Sequence, residues 1–261
     1  MKLPIVTYHA IGAGPPPVWT SPADFEAQLE AFAAAGYRTV PLTSLLPPHG
    51  QPSSMRDDAL VITFDDGYAS FRDEAWPRLR RLGYSATVFL IADRCGDSTC
   101  WPGQPPGLPT ARLLGWDDIS DLASEGCEFG AHGRSHCPLV GLSSERLEDE
   151  VLGSKMRIAA ETGVTPGVFA YPYGATNGEV LGAVRRHFCG AVGTRLGLVT
   201  ERADRFLLPR IDSYYLTPSL IRSLRSDSSS RYLRVRQWLR TVRRLVRPDW
   251  RPTKPKGPNV V

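Results

Sequence analysis

No stretch of this 261-residue chain is apolar for long enough to cross a bilayer; the strongest run, ATVFLIA, has only the length of a β-strand. The opening residues, MKLPIVTYHAIG, hold one lysine, an early Pro4 and no continuous apolar segment of signal-peptide length. The expectation is a cytoplasmic protein, with membrane association left to other parts of the chain. Cysteine is sparse and odd in number, and Cys95, Cys100, Cys127, Cys137 and Cys189 form neither a dense disulfide framework nor a paired CxxC metal pattern. Free thiols are expected, although Cys95 and Cys100 bracket a short loop and could pair if oxidised. There is no internal repeat, and no low-complexity linker divides residues 1–216. These absences argue against a membrane-spanning helix within this sequence, a dense disulfide scaffold and a repeat solenoid.

What remains is an ordinary globular composition, 42% hydrophobic and 22% charged, long enough for one large core. The net charge of +4 conceals a division. Residues 221–261 hold 12 Lys+Arg against 2 Asp+Glu, whereas the first 220 hold 19 against 25. A basic tail of residues 217–261 is therefore separated from a mildly acidic body, residues 1–216.

Strand and helix signals alternate through that body. PIVTY, YRTV, ALVITF, SATVFLIA, CEFGA, GVFAY, CGAVGT and RFLLPRI read as strands, and several are continuous apolar runs of the kind buried on both faces of a parallel sheet. One helix should open at Ser21 with Pro22 in its first turn and Asp24 in a capping-box-like position, and end at Gly36. Others are expected over 69–82 with a bend at Pro77, and over 116–125, 143–162 and 177–187; Gly96–Pro109 reads as a long loop. Such alternation predicts an α/β fold with a parallel sheet or barrel. In these folds reactive groups gather at the C-terminal ends of strands, where His9, the pair Asp65–Asp66, His132 and Tyr173 all fall.

The doublet in VITFDDG is unusual because a carboxylate is costly to bury unless it is paired or metal-bound. An acidic turn permitted by Gly67 is the simpler explanation. In AHGRSH, His132 and His136 stand four apart, a spacing that brings both rings to one side of a helix or tight helical turn. Two imidazoles and a carboxylate suit a catalytic Zn²⁺ with one position open to water, and a pair of surface histidines is the alternative.

TFDDG at 63–67, HGRSH at 132–136 and YPYG at 171–174, in that order, resemble the signature motifs of the NodB-type polysaccharide deacetylases, carbohydrate esterase family four. The resemblance covers roughly residues 3–212 and implies a distorted (β/α) barrel that removes N-acetyl, sometimes O-acetyl, groups from sugars with a divalent metal. It implies Asp66, His132 and His136 as metal ligands, Asp65 as catalytic base, and the Tyr173 N–H as oxyanion donor. Zn²⁺ is the expected ion, with Co²⁺ or Ni²⁺ as alternatives, and an N-acetylated sugar or polysaccharide the expected substrate. The chemistry accounts for the doublet: one carboxylate holds the metal while its neighbour takes a proton from water. An O-acetyl esterase, another metal-dependent amidohydrolase, or a silent glycan- or membrane-binding barrel would share these motifs.

Two departures stand out. Many relatives carry an arginine where this chain has Ala170, and Arg210 in LPRID is the candidate to replace it through space, with Asp212 to orient it; a surface strand-end pair is the alternative. A late Leu-x-His motif is also missing, since no histidine follows His187, which itself reads as solvated on a basic helix end. His9 is the candidate for the vacant acid or substrate-binding role, against a structural histidine. Trp101 is a candidate cleft aromatic, and Trp116 a helix-start packing residue.

In the tail, Val235, Trp238, Leu239, Val242, Leu245 and Val246 fall at helical spacing among arginines. Residues 231–247 therefore read as a basic amphipathic helix that either rests on an anionic membrane or docks its apolar side on the barrel. Nucleic acid is disfavoured, because no recognition module is visible. The final RPDWRPTKPKGPNVV reads as disordered.

Overall fold

The computed structural model describes residues 2–46, 56–101 and 107–246. Eight parallel strands organise it: β1 (Ile5–Tyr8), β2 (Arg38–Thr39), β3 (Ala59–Phe64), β4 (Thr87–Leu90), β5 (Glu128–Ala131), β6 (Val168–Ala170), β7 (Gly190–Leu196) and β8 (Leu208–Asp212). Seven close a ring in the order β1-β8-β7-β6-β5-β4-β3, with β3 returning to β1 from Ile5 opposite Val61 to Tyr8 opposite Phe64. The two-residue β2 lies outside the ring, on the N-terminal half of the β3 edge that β4 takes over at Thr63. The barrel is distorted where β5 and β6 meet only at Ala131 and Phe169, and where the β7–β8 register shifts between Val192 and Leu196.

Strand alternation divides the core in two. Ile5, Val61, Phe89, Val168, Val192 and Leu208 fill the barrel, closed below by Leu42 and Leu45. Val6, Tyr8, Ile62, Phe64, Val88 and Phe169 face outward under the helices. There, α1 (Pro22–Ala34) presents Phe25, Leu29 and Phe32, and Phe25 meets the Tyr8 ring edge-on at 5.0 Å. Ser21 caps this helix by accepting the Asp24 N–H at 3.0 Å, and Gly36 reverses the chain at φ 71°.

Pro77 does not bend a regular helix. Instead a wide π-type turn, Phe71–Ala75, precedes α2 (Trp76–Arg81) and accommodates the bulk and missing N–H of proline. A second such turn, Asp149–Gly153, interrupts the expected 143–162 helix between α4 (Ser144–Glu148) and α5 (Ser154–Thr162). The remaining body helices are α3 (Trp116–Ser124) and α6 (Gly178–His187), the latter capped by Asn177.

After the barrel come α7 (Pro218–Ser223) and the basic α8 (Asp227–Val246). The docking alternative for the tail is corrected here: α8 turns Ser229 and Leu233 inward, and Gln237 accepts the Leu196 N–H at 2.8 Å. Its apolar stripe faces away from the barrel, with Trp238 63% exposed and Val235, Leu239, Val242 and Val246 also exposed. The predicted disordered segment lies outside the described residues. Among the described residues, no helix is long and apolar enough to cross a membrane.

Candidate active site

The alternation that buries Ile5, Val61 and Leu208 inside the barrel also aims their successors two and four residues on at its upper mouth. His9, Asp65, Arg210 and Asp212 share this inward parity, and with Asp66, His132, His136 and Tyr173 they line one cavity of ≈ 210 Å³. Every residue singled out from the sequence as a candidate site residue therefore reaches the same place.

Arg210 lies just below the mouth, 3% exposed, and its guanidinium grips Asp65 with two parallel hydrogen bonds, each 2.7 Å. It also donates to Gly193 O at 3.0 Å, Thr7 Oγ1 at 3.0 Å and Thr63 Oγ1 at 3.2 Å. This two-point fork geometry is specific to arginine, and it comes from β8 rather than from the β6 end at Ala170. Burial alone would push the Asp65 carboxyl upward, yet the charge and hydrogen bonds of Arg210 hold it below the ordinary carboxylate value. Asp212 is not the group that orients Arg210: its Oδ1 accepts the Tyr214 N–H at 2.9 Å, and burial raises its pKa.

Asp66 points elsewhere. Its backbone turns at φ 69°, followed by Gly67 at φ 71°, which swings the carboxylate away from Asp65 towards the two histidines. Asp66 Oδ1 lies 3.4 Å from His132 Nε2 and 3.3 Å from His136 Nε2. All three groups are buried, and their donor atoms lie within 4.8 Å of one another. Asp66 Oδ1 has no hydrogen-bond partner, an expensive arrangement for a buried carboxylate oxygen unless a cation satisfies it. His132 Nδ1 is 2.8 Å from Ala170 O, which fixes the tautomer that leaves Nε2 as a lone-pair donor. Burial pushes His136 down to about 4, so it is neutral at physiological pH. The donor set fits a divalent metal.

The histidines do not converge by helical spacing. Residues 132–136 form a loop, a correction to the helical turn expected from their separation. The loop curls around Glu150, a buried carboxylate on the π-type turn, which accepts the Arg134 N–H at 2.8 Å, the Ser135 N–H at 3.0 Å and the Ser135 hydroxyl at 2.5 Å. Gly133 makes this possible, at φ 76°, where a Cβ would be strained and would sit a tight 3.1 Å from Glu150 Oε2. Glu150 escaped the sequence reading. Its signal was an acid on the apolar stripe of the expected helix, beside Leu147, Val151 and Ile158.

Tyr173 follows β6 in a tight Pro172–Gly174 turn. Its ring lies tilted at 4.7 Å from the His136 ring, which Trp101 meets edge-on at 4.9 Å. Among the described residues, the non-glycine residues with positive φ are Asp66, His136 and Tyr173, at 69°, 63° and 58°. All three line this cavity, so the described residues place their positive-φ strain outside glycine there. His9 Nε2 stands 3.9 Å from Asp65 Oδ2. His187 is remote and pairs with Glu148. Trp116 opens α3 and packs against the core.

A parallel (β/α) barrel carrying a carboxylate–imidazole cluster and a separate arginine-held carboxylate at its mouth has the layout of a hydrolase. Comparison with known proteins makes the class specific: the family described as polysaccharide deacetylase matches residues 52–189, and the chain belongs to it. YxkH of Bacillus subtilis (strain 168), itself named for these deacetylases, is 26% identical over 200 residues, 77% of this chain and 65% of that protein. The peptidoglycan-N-acetylglucosamine deacetylase PgdA of Listeria monocytogenes is 28% identical over 130 residues, 49% of this chain and 24% of PgdA. The chain therefore spans less than two thirds of these curated relatives. In structure it is similar to the deacetylase PplD of Streptococcus pyogenes, with a TM-score of 0.67 at 22% identity over 81% of this chain and 92% of that one. A polysaccharide deacetylase from Bacillus cereus gives 0.71 at 22% identity over 87% and 69%. These structures share the fold.

Proposed function

We propose that this protein is a metal-dependent hydrolase that removes N-acetyl groups from amino sugars in a polysaccharide or glycoconjugate. One observation carries the reading: a buried, unpartnered Asp66 Oδ1 facing two imidazole nitrogens, beside an Asp65 engaged separately by Arg210. Asp66, His132 and His136 would hold the ion, Zn²⁺ in this reading, with Co²⁺ or Ni²⁺ compatible with the same donors. When bound, such an ion supplies Lewis acidity, acidifying water and polarising the acetyl carbonyl.

The chain's own residues supply the rest. Asp65, kept ionised and oriented by Arg210, takes the proton from the attacking water. The Tyr173 N–H, presented by its positive-φ turn, donates to the oxyanion that develops on the carbonyl. His9, at the same mouth, donates a proton to the departing amine, the step for which the late histidine motif is missing. Residues 1–216 form the catalytic unit in this reading, and 217–261 a basic appendage whose segment 231–247 contacts an anionic membrane peripherally.

The test is acetate release from N-acetylated and O-acetylated oligosaccharides by metal-stripped protein, before and after adding Zn²⁺, Co²⁺ or Ni²⁺. Metal-restored release from an N-acetyl sugar, abolished in Asp65→Asn with metal still bound, supports the assignment. Release only from O-acetyl substrates would make the protein an esterase. No release despite stoichiometric metal would leave a binding protein.

A further inference from the structure

The outer face of α8 is not absorbed by the barrel or by the cavity. Val235, Leu239, Val242 and Val246 recur at separations of four, three and four, with Trp238 beside them, and all five are exposed. This is an apolar stripe left exposed among the described residues, on the side of the helix away from Leu233 and Gln237. The helix also carries six arginines against a single carboxylate, Asp227.

The charge selects the occupant. A second copy of the chain seated on the stripe would lay arginine rows along arginine rows, a destabilising arrangement in a helix pair. An anionic lipid surface satisfies both features at once, taking the apolar stripe below its headgroups and the exposed Arg231 and Arg234 guanidinium groups among them.

The direction of α8 adds a functional consequence. Its first residue, Asp227, pairs with Lys2 at 2.5 Å, below the start of β1. Gln237 meets Leu196 at the end of β7, and Arg240 lines the active-site cavity while its guanidinium lies 5.8 Å from the Tyr215 ring. The helix thus climbs the barrel wall to the catalytic mouth, and Val246 lies about 9 Å further along its axis than Arg240. The exposed Trp238, Leu239, Val242 and Val246 sit at the level of the mouth or past it.

We propose that this face of α8 docks on an anionic membrane leaflet and holds the mouth of the barrel at the lipid surface, so that the sugar is met as a lipid-anchored substrate. The docking stands on α8 alone; the substrate rests on the deacetylase reading above.

The experiment uses the full chain and the triple variant Trp238→Ser, Leu239→Ser, Val242→Ser, none of which lines the cavity. Co-sedimentation is measured with vesicles of phosphatidylcholine alone and with phosphatidylglycerol added. Wild type should bind the anionic vesicles at least about tenfold more tightly, the variant should lose about tenfold, and about 0.5 M salt should weaken both. Acetate release is then compared between a soluble N-acetylated oligosaccharide and an N-acetylglucosaminyl lipid in the anionic vesicles. The variant should keep its rate on the first and lose about tenfold on the second. Equal sedimentation of wild type and variant overturns the docking, as does a dimer in analytical ultracentrifugation that the variant dissociates. An equal rate on the vesicle substrate overturns the placement of the mouth. Vesicle binding without release from either substrate would instead refute the deacetylase reading and leave the docking intact.

Discussion

Arg210→Met isolates the ion pair on which the proposed base depends. The substitution leaves Asp65, 4% exposed, with neither of its 2.7 Å partners, and it removes donors from Gly193 O, Thr7 and Thr63. Removing one partner of a buried pair costs about 3–5 kcal/mol, because the remaining charge keeps its desolvation penalty. The pH dependence should reverse sign. In wild type the Asp65 pKa is depressed, so its contribution to stability is present above the unfolded carboxylate value of about 3.9 and lost as pH falls through the lower folded value. Without Arg210 burial dominates, the folded pKa rises above the unfolded one, and stability is lost as pH increases through about 4 and beyond. The acid limb of kcat/KM should move to higher pH by the same cause, each pH unit representing about 1.4 kcal/mol. Denaturant unfolding between pH 4 and 8, with pH–rate profiles of acetate release, measures both effects. The double variant Asp65→Asn, Arg210→Met removes both charges and should recover much of the lost stability. An unshifted acid limb in Arg210→Met, or a double variant no more stable than the single one, would refute the reasoning.

Asp65→Asn alone should lower kcat by about 10²–10⁴ while metal stoichiometry by atomic spectroscopy is unchanged. Zn²⁺ affinity by calorimetry should weaken on acidification, because Asp66 and Asp65 raise the His132 pKa against its burial and protons then compete for the ligand; a flat profile would remove His132 from the donor set. Glu150→Gln should weaken metal binding about 10–100-fold through the loop it holds, without touching the ion's donors, and an unaltered affinity would show that the loop keeps its shape alone. Gly174→Ala should lower thermal stability and activity together by about 1–3 kcal/mol or more, since φ is 70° and the added Cβ would fall 2.1 Å from Thr194 Oγ1; a wild-type melting temperature would mean the turn relaxes freely.

The sequence by itself determined the alternation of strands and helices, the helix start at Ser21, and the strand-end placement of His9, Asp65, His132 and Tyr173. These are local properties, set by side-chain periodicity and by backbone preferences a few residues long. It also carried both halves of the Asp65–Asp66 doublet, but only their backbone conformation separates the two carboxylates, one beside arginine and one beside histidine. The partners that define their chemistry are distant in the chain: Arg210 is 145 residues from Asp65, and Glu150 reaches the His132 loop from a turn inside an expected helix. The same limit applies to α8. Its composition disclosed an amphipathic basic helix, but which face meets the barrel depended on where Leu196 and Tyr215 stand. Periodicity reports what a segment can bury, and only closure of the barrel decides what it is buried against.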